Sequence, residues 1–350
     1  MNKRPTIRDV ANAAHVSTAT VSQILRHGGN ELISEKTVKR VQEIAKRLGY
    51  RPNLLASSLG SGKSNIIGVI SSRLDIRIMV RKIEAAEQVF SSHGYAVIVL
   101  DARGQEELEA EYVSFLSRGL LDGILIASDT SPLLRLEVKT LSERGLPIVT
   151  LEPIDGVAID CVTVDRVRGA YKAVSHLLSL GHERIAFLSS DPTKRAIRDR
   201  YTGYEKAFRE RGMGVDPEMV VVIASKNPCQ EGYEAAREAL NLDSPPTALF
   251  CLSDEVAIGA MAYVRESGRR VPEDVAVVGF DDIQVGRYAA TPLTTVSQPA
   301  EDIGRQAAEL LIERISGKSE GMKPRKIVLE PELVIRQSCG AAPTGGDTAC

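Results

Sequence analysis

The sequence predicts an α/β protein made of an all-helical head, a short hinge helix and two doubly wound parallel α/β lobes. Three observations predict it. Over the first fifty positions apolar residues recur at spacings of three and four, as on one face of a helix. From Ile66 onward short apolar runs alternate with amphipathic stretches, the pattern of parallel strands covered on both faces by helices. At 350 residues the chain exceeds one ordinary core, and typical domain sizes give two or three domains.

The head comes first. Thr6 followed by Asp9 reads as a helix start, with Ile7, Val10, Ala11 and Ala14 as its apolar stripe. After a tight connection at His15 and Val16, Ser17 caps a second helix whose inner face is Val21, Ile24 and Leu25. Ser34 starts a third, with Val38, Val41, Ile44, Ala45 and Leu48 inside and Gly49 as its stop. So short a connection between the first two helices is that of a helix-turn-helix, whose second helix lies in the DNA major groove with its outward N-terminal residues at base edges. Here those are Thr18, Ala19, Ser22 and Gln23. Gln pairs bidentately with adenine, and Thr or Ala packs on a thymine methyl. Residues 1–63 hold eleven Lys or Arg against four Asp or Glu, a charge of +7 in a chain whose net charge is −2. A three-helix packing module without DNA is the competing reading, and this asymmetry favours DNA.

Pro52 ends the third helix, Asn53 can cap one short further helix, and Gly60 to Gly62 is linker-like. A helix of about six residues is marginal alone, because nucleation is costly, so it is expected to form when DNA orders it. Gly62, Lys63 and Ser64 do not make a phosphate-binding loop: Ser57 stands where that motif has its first glycine, and no strand precedes it.

In the body the apolar runs are 66–70, 96–100, 123–127 and 148–151, then 162–164, 185–188, 220–224, 248–252 and 275–280. Four precede a break at 153–160 and five follow it, which gives two lobes in place of one nine-stranded sheet. The segments 293–298 and 326–335 then cross back between them. The expected boundaries are 1–50 for the head, 51–64 for hinge and linker, 65–340 for the two-lobed body and 341–350 for a small, polar, disordered tail. Within the body, the first lobe takes about 65–163 and 292–323 and the second about 164–291 and 324–340.

Ligands of open parallel sheets bind beyond the carboxyl ends of the strands. Those ends offer Ser71, Ser72 and Arg73, then Ser128 and Asp129, Glu152, Ser189 to Asp191, Ser253 with Asp254, and Asp281 with Asp282, while Arg200 opens a helix beyond one of them. Carboxylates and an arginine on one cleft can grip hydroxyls, as a sugar-type ligand needs; helix capping is the competing role for Ser253 and Asp254. The segment 71–82 also carries Asp75, Arg77 and Arg81.

Other classes are disfavoured. The five cysteines contain no C-x-x-C pair and read as reduced structural thiols, the five histidines show no metal-ligand spacing, and no nucleophile elbow or dinucleotide fingerprint is present. No catalytic residue, metal or cofactor is expected. No apolar run approaches a membrane span, and the N-terminus lacks a secretory pattern, which points to the cytoplasm. A periplasmic-type sugar-binding protein would share the two lobes but carry a signal peptide and no basic head.

From Thr6 to about Ser338 the chain resembles the lactose-repressor (LacI/GalR) family of transcriptional regulators. The likeness rests on Thr6-Ile-Arg-Asp-Val-Ala, Ala14-His-Val-Ser-Thr-Ala-Thr-Val-Ser and Leu48-Gly-Tyr-Arg-Pro-Asn with Ala56-Ser-Ser-Leu. In the body it rests on Leu121-Asp-Gly-Ile-Leu, Leu180-Gly-His-Glu-Arg-Ile-Ala, Val278-Gly-Phe-Asp-Asp and Pro292-Leu-Thr-Thr-Val. The resemblance implies a periplasmic-binding-protein-like body and a homodimer, with tetramers left open, on a pseudo-palindromic double-stranded operator. It also implies a small-molecule effector in the interlobe cleft. DNA contacts are then expected from Thr6, Ser17, Thr18, Ala19, Thr20, Ser22, Gln23 and Asn53, with Leu59 as a minor-groove wedge and Ala56 packing beside it. Effector contacts are expected from Arg73, Asp75, Ser128, Glu152, Arg200, Ser253, Asp254 and Asp281. Three departures from the family pattern stand out: His15 in place of a turn glycine, Gln23 in place of arginine, and a shortened, charged 71–82 segment. The last points to an atypical, anionic effector in place of a sugar, with an effector-less cleft as the alternative.

Overall fold

A computed structural model describes residues 5–27, 33–50, 63–116, 121–127, 132–223, 225, 227–318 and 321–342. The chain divides into two compact units, Met1–Asn65 and Ile66–Cys350.

The first unit is three helices, α1 (Ile7–Ala14), α2 (Thr18–His27) and α3 (Glu35–Leu48). Each start is set by a short polar side chain. Asp9 accepts from the Thr6 backbone N–H at 2.7 Å and from its hydroxyl at 2.8 Å, Ser17 accepts from the Thr20 N–H at 3.0 Å, and Ser34 accepts from the Thr37 N–H at 3.3 Å. The turn after α1 is closed by His15 in the left-handed region, φ 52°, a conformation His tolerates better than β-branched residues do. Gly49, φ 67°, ends α3 in the same way. Val10, Ala11, Ala14, Val21, Ile24, Val41, Ile44 and Ala45 form one buried core. Leu48, expected inside, is 37% exposed, because the last turn of α3 runs past the end of that core.

The second unit holds two six-stranded sheets. The first is built from β1 (Ile66–Ser71), β2 (Ala96–Asp101), β3 (Gly123–Ala127), β4 (Ile148–Thr150), β5 (Asp160–Val164) and β11 (Lys326–Leu329), in the order β2-β1-β3-β4-β5-β11, every pairing parallel. The second is built from β6 (Ile185–Ser189), β7 (Val220–Val222), β8 (Ala248–Cys251), β9 (Ala276–Asp281), β10 (Thr294–Ser297) and β12 (Glu332–Val334), in the order β7-β6-β8-β9-β10-β12. Only β12, paired with β10, is antiparallel. Helices α4 (Arg77–Ser92), α5 (Glu106–Leu116), α6 (Pro132–Glu143) and α12 (Ala300–Ile315) accompany the first sheet; α7 (Arg166–Ser179), α8 (Arg195–Glu210), α9 (Pro228–Leu240), α10 (Asp254–Glu266) and the short α11 (Gln284–Arg287) accompany the second.

The two lobes are therefore interleaved differently from the sequence expectation. The first lobe's expected stretch 65–163 holds, with Val162 to Val164 pairing with β11 in the first sheet, but β10, expected in the first lobe with 292–323, belongs to the second, where Thr294 aligns with Val278 and Ser297 with Asp281. The segment read as one run, 326–335, is two strands in two sheets, split at Pro331, which has no N–H for a ladder. The chain thus crosses between lobes after β5, after β10 and between β11 and β12. Hydrophobic burial explains the second crossing: Thr294, Thr295 and Val296 are fully covered within the second lobe, and the chain cannot leave it before they are placed.

Candidate functional site

Two places collect the residues singled out by sequence. On the head, Thr6, Ser17, Thr18 and Ala19 are exposed, and Thr20, Ser22 and Gln23 are half-buried. The inward set Val21 and Ile24 fixes the roll of α2, so its N-terminal turn faces outward. The Ser17 and Thr20 hydroxyls lie 2.8 Å apart, and Ser17 is thereby committed to the cap. Asn53, Ala56 and Leu59 lie outside the described residues.

The second place lies between the lobes, and buried charge dominates it. Glu152, just past β4, pairs through both carboxylate oxygens with both terminal nitrogens of Arg166, the first residue of α7, and both side chains are buried. Asp199 of α8 stands 3.9 Å from the same guanidinium at the rim. Arg200 sits one helix position away, its guanidinium 4.0 Å over the Phe280 ring and 3.2 Å from Asp281. Asp281 also accepts from the Gln298 amide at 2.5 Å, and the Gln298 oxygen accepts from the Lys82 ammonium at 3.1 Å. A continuous contact chain thus runs from α8 through the end of β9 and the second crossing to α4 in the other lobe.

Burial outweighs pairing here. It pushes the Asp281 carboxyl up in spite of Arg200, and it lowers Arg200 in spite of Asp281. Lys82, 2% exposed, is lowered to about 8, first by burial and then by the charge of Arg166, against the opposing pull of Glu152 and Asp281. Asp281 has φ 111° and Asp282 φ 53°, both unusual for side-chain-bearing residues. The distortion is held in place by Arg336, whose guanidinium lies 2.6 Å from the Asp282 carboxylate, and by Arg81, which donates to the Asp282 carbonyl at 3.1 Å.

Some expected contacts are placed elsewhere. Asp254, 1% exposed, is turned inward: its carboxylate accepts from the Ile283 N–H at 2.7 Å and the Thr295 hydroxyl at 2.5 Å, tying α10 to the second sheet. Burial, then the charge of Asp281, raise its carboxyl well above the usual range. Ser253 caps α10, accepting from the Val256 N–H at 3.3 Å. At the lip Arg73 is clamped bidentately by Asp75, at 3.0 and 2.6 Å, and Arg81 by Glu301, at 2.9 and 3.1 Å, so their charge is met within the chain. Ser128 lies outside the described residues.

Lys82, Arg166 and Gln298 were not singled out by sequence. The first was within reach: Lys82 is four residues from both Ile78 and Ala86, both buried, and so occupies an inward position of α4. Among the described residues no three metal-ligating side chains gather, and no helix is long and apolar enough to cross a membrane.

Comparison with known proteins matches this architecture at both ends. Residues 6–53 match the model described as bacterial regulatory proteins, lacI family, and residues 174–339 match a periplasmic binding protein-like domain. The transcriptional repressor PurR of Haemophilus influenzae is 32% identical over 334 residues, 95% of this chain and 98% of that protein. The transcriptional regulator RegA of Clostridium saccharobutylicum is 35% identical over 336 residues, 95% of this chain and 98% of that one. Among solved structures, the lac repressor dimer bound to operator and an anti-inducer superimposes with a TM-score of 0.84 at 27% identity, covering 97% of this chain and all of that one. The regulator CelR in complex with cellobiose gives 0.72 at 30% identity, covering 96% and all. With three-helix head, twin doubly wound lobes and full-length relatives in agreement, the chain belongs to the LacI family of bacterial regulatory proteins.

Proposed function

We propose that this chain is a sequence-specific DNA-binding transcriptional repressor that works in the cytoplasm and is not an enzyme. It binds a pseudo-palindromic operator as a homodimer and is modulated by a small molecule held between its lobes. The observation that carries this reading is the head: a capped three-helix unit that presents Thr18 and Ala19 outward on its second helix. In this assignment Thr18, Ala19, Ser22 and Gln23 meet base edges, while Thr6, Ser17 and Thr20 lie along the phosphates and fix the register. Asn53, Ala56 and Leu59 serve a hinge that enters the minor groove.

Between the lobes Glu152, Arg200 and Asp281 bind the effector, with Arg73, Asp75 and Ser253 at its edge and Asp254 in support behind them. Because the contact chain joins both lobes, a ligand that replaces any link shifts the angle between them, and that shift is the coupling to operator affinity. Homodimer formation is supported by an uncovered apolar groove of about 760 Å³ on the second lobe, where Ile258, Met261, Val285 and the 74% exposed Tyr288 gather.

A gel-shift series on a library of duplexes tests the reading. The expected result is selection of a two-half-site sequence with affinity falling steeply as salt rises. Absence of salt-dependent binding to any duplex overturns it.

A further inference from the structure

We propose that the interlobe cleft is built for a small organic anion, whose negative oxygens take up the spare hydrogen-bond donors of Lys82 and Arg200. The inference rests on the effector-binding reading above and names the class of ligand.

Its ground is an imbalance inside the buried contact chain. Arg166 has Glu152, and Arg200 has Asp281. Lys82 is buried with them, yet no carboxylate among the described residues lies within ion-pair distance of it, and its one hydrogen bond goes to the neutral amide of Gln298 at 3.1 Å. An ammonium carries three donors, so two are unspent. The Nε of Arg200, also buried, has no partner either. Three cationic side chains therefore meet two buried carboxylates that pair with them; Asp254, also buried, spends its oxygens on the Ile283 N–H and the Thr295 hydroxyl and has its carboxyl raised well above the usual range, and Asp199 is partly exposed and faces Arg166.

A buried ammonium without a counter-charge is costly, and hydroxyl dipoles do not cancel a net charge. A carboxylate or phosphate oxygen does both, by giving the charge a partner and by accepting the spare N–H groups. Burial, and then the charge of Arg166, lower the affinity of Lys82 for its proton, and the pull of Glu152 and Asp281 does not offset them. The lip is not the source of the preference, because Arg73 and Arg81 are already matched by Asp75 and Glu301. Nor are the α12 charges that face the outer side of α4, where Asp302 and Arg305 pair with each other. Access follows from membership: Lys82 and Glu152 belong to one lobe, Arg166, Arg200 and Asp281 to the other, so separation of the lobes opens the cluster.

The test is thermal unfolding of the full chain at pH 7 and fixed ionic strength, in gluconate, citrate or inorganic phosphate, against glucose and chloride at matched concentration. At least one of the three anions is expected to raise the midpoint by about 3 °C or more, with glucose inert. The rise is expected to vanish in Lys82→Met and to persist in the surface variant Arg305→Ala. All three anions no better than chloride, glucose as effective as the best of the anions, or a Lys82→Met protein that responds like the parent would each overturn the proposal. If Lys82→Met does not fold, the contrast between the best anion and glucose on the parent decides alone. Operator binding in the gel shift is read separately, so loss of the anion response with operator binding intact removes only this inference.

Discussion

The head and the cleft solve opposite problems with the same kinds of residue. On the head, hydroxyls and amides at the start of α2 stand in water, and the apolar core beneath them is complete without a partner. Between the lobes, charged groups have left water and are held by one another, drawn from α4, α7, α8 and the ends of β4 and β9. An exposed reading face costs little to keep and gains only when its target arrives. A buried ionic cluster carries a desolvation cost at all times, so any ligand must replace contacts already made. DNA adds to the first surface, whereas an effector rearranges the second.

The comparison can be broken at its strongest point by removing one side of the buried pair. Glu152→Ala leaves the Arg166 guanidinium without its main partner and is expected to destabilise the body by about 3–5 kcal/mol in urea unfolding. A loss below about 1 kcal/mol would mean that the pair behaves like a surface one.

The next effect is one of pH. Lys82 is lowered to about 8 from 10.5, so between those values the unfolded chain binds the proton that the folded chain has released. Stability therefore rises with pH across that window, by at most about 1.4 kcal/mol per unit. The urea midpoint of the parent, followed from pH 7 to 9.5, should rise relative to that of Lys82→Met; a flat difference would show that Lys82 is solvated.

On the head the expected changes are smaller and leave the body alone. Gln23→Ala should weaken the selected operator by about 1–3 kcal/mol, with the salt slope unchanged, because a base contact and not a phosphate is lost. Fluorescence anisotropy over a salt series measures both quantities, and a reduced slope would move Gln23 to the phosphate backbone. Ser34→Ala removes the cap of α3 and should cost the head about 1 kcal/mol, read by hydrogen exchange of α3 amides, with body amides unaffected.

Legibility in the sequence follows the same division. Thr6 with Asp9, Ser17, Ser34 and Gly49 announce the helix ends of the head through contacts three or four residues apart, and each is found where its spacing puts it. The strands of the body were equally plain as apolar runs. What local pattern could not give was partnership: that β10 lies beside β9, that β11 lies beside β5, and that Gln298 bridges Asp281 and Lys82 across more than two hundred residues of chain. Lys82 shows the limit well. Its inward position was readable from Ile78 and Ala86, but what it faces is decided by a segment at the far end of the body. Arg73 and Arg81 looked like free charge for the converse reason, since Asp75 is close by and Glu301 is distant, and only folding brings both to bear.

The three crossings of the backbone between lobes also set the order in which the protein can be finished during synthesis. By Tyr50 the helices of the head have all been synthesised, whereas the first lobe still lacks α12 until Ile315 and its edge strand β11 until Leu329. Lobe two, although encoded in the middle, waits for β12. Neither half of the body is a separable piece that truncation could isolate, and the nascent chain carries a finished DNA-reading unit for most of its elongation while both halves of its sensor remain open-edged.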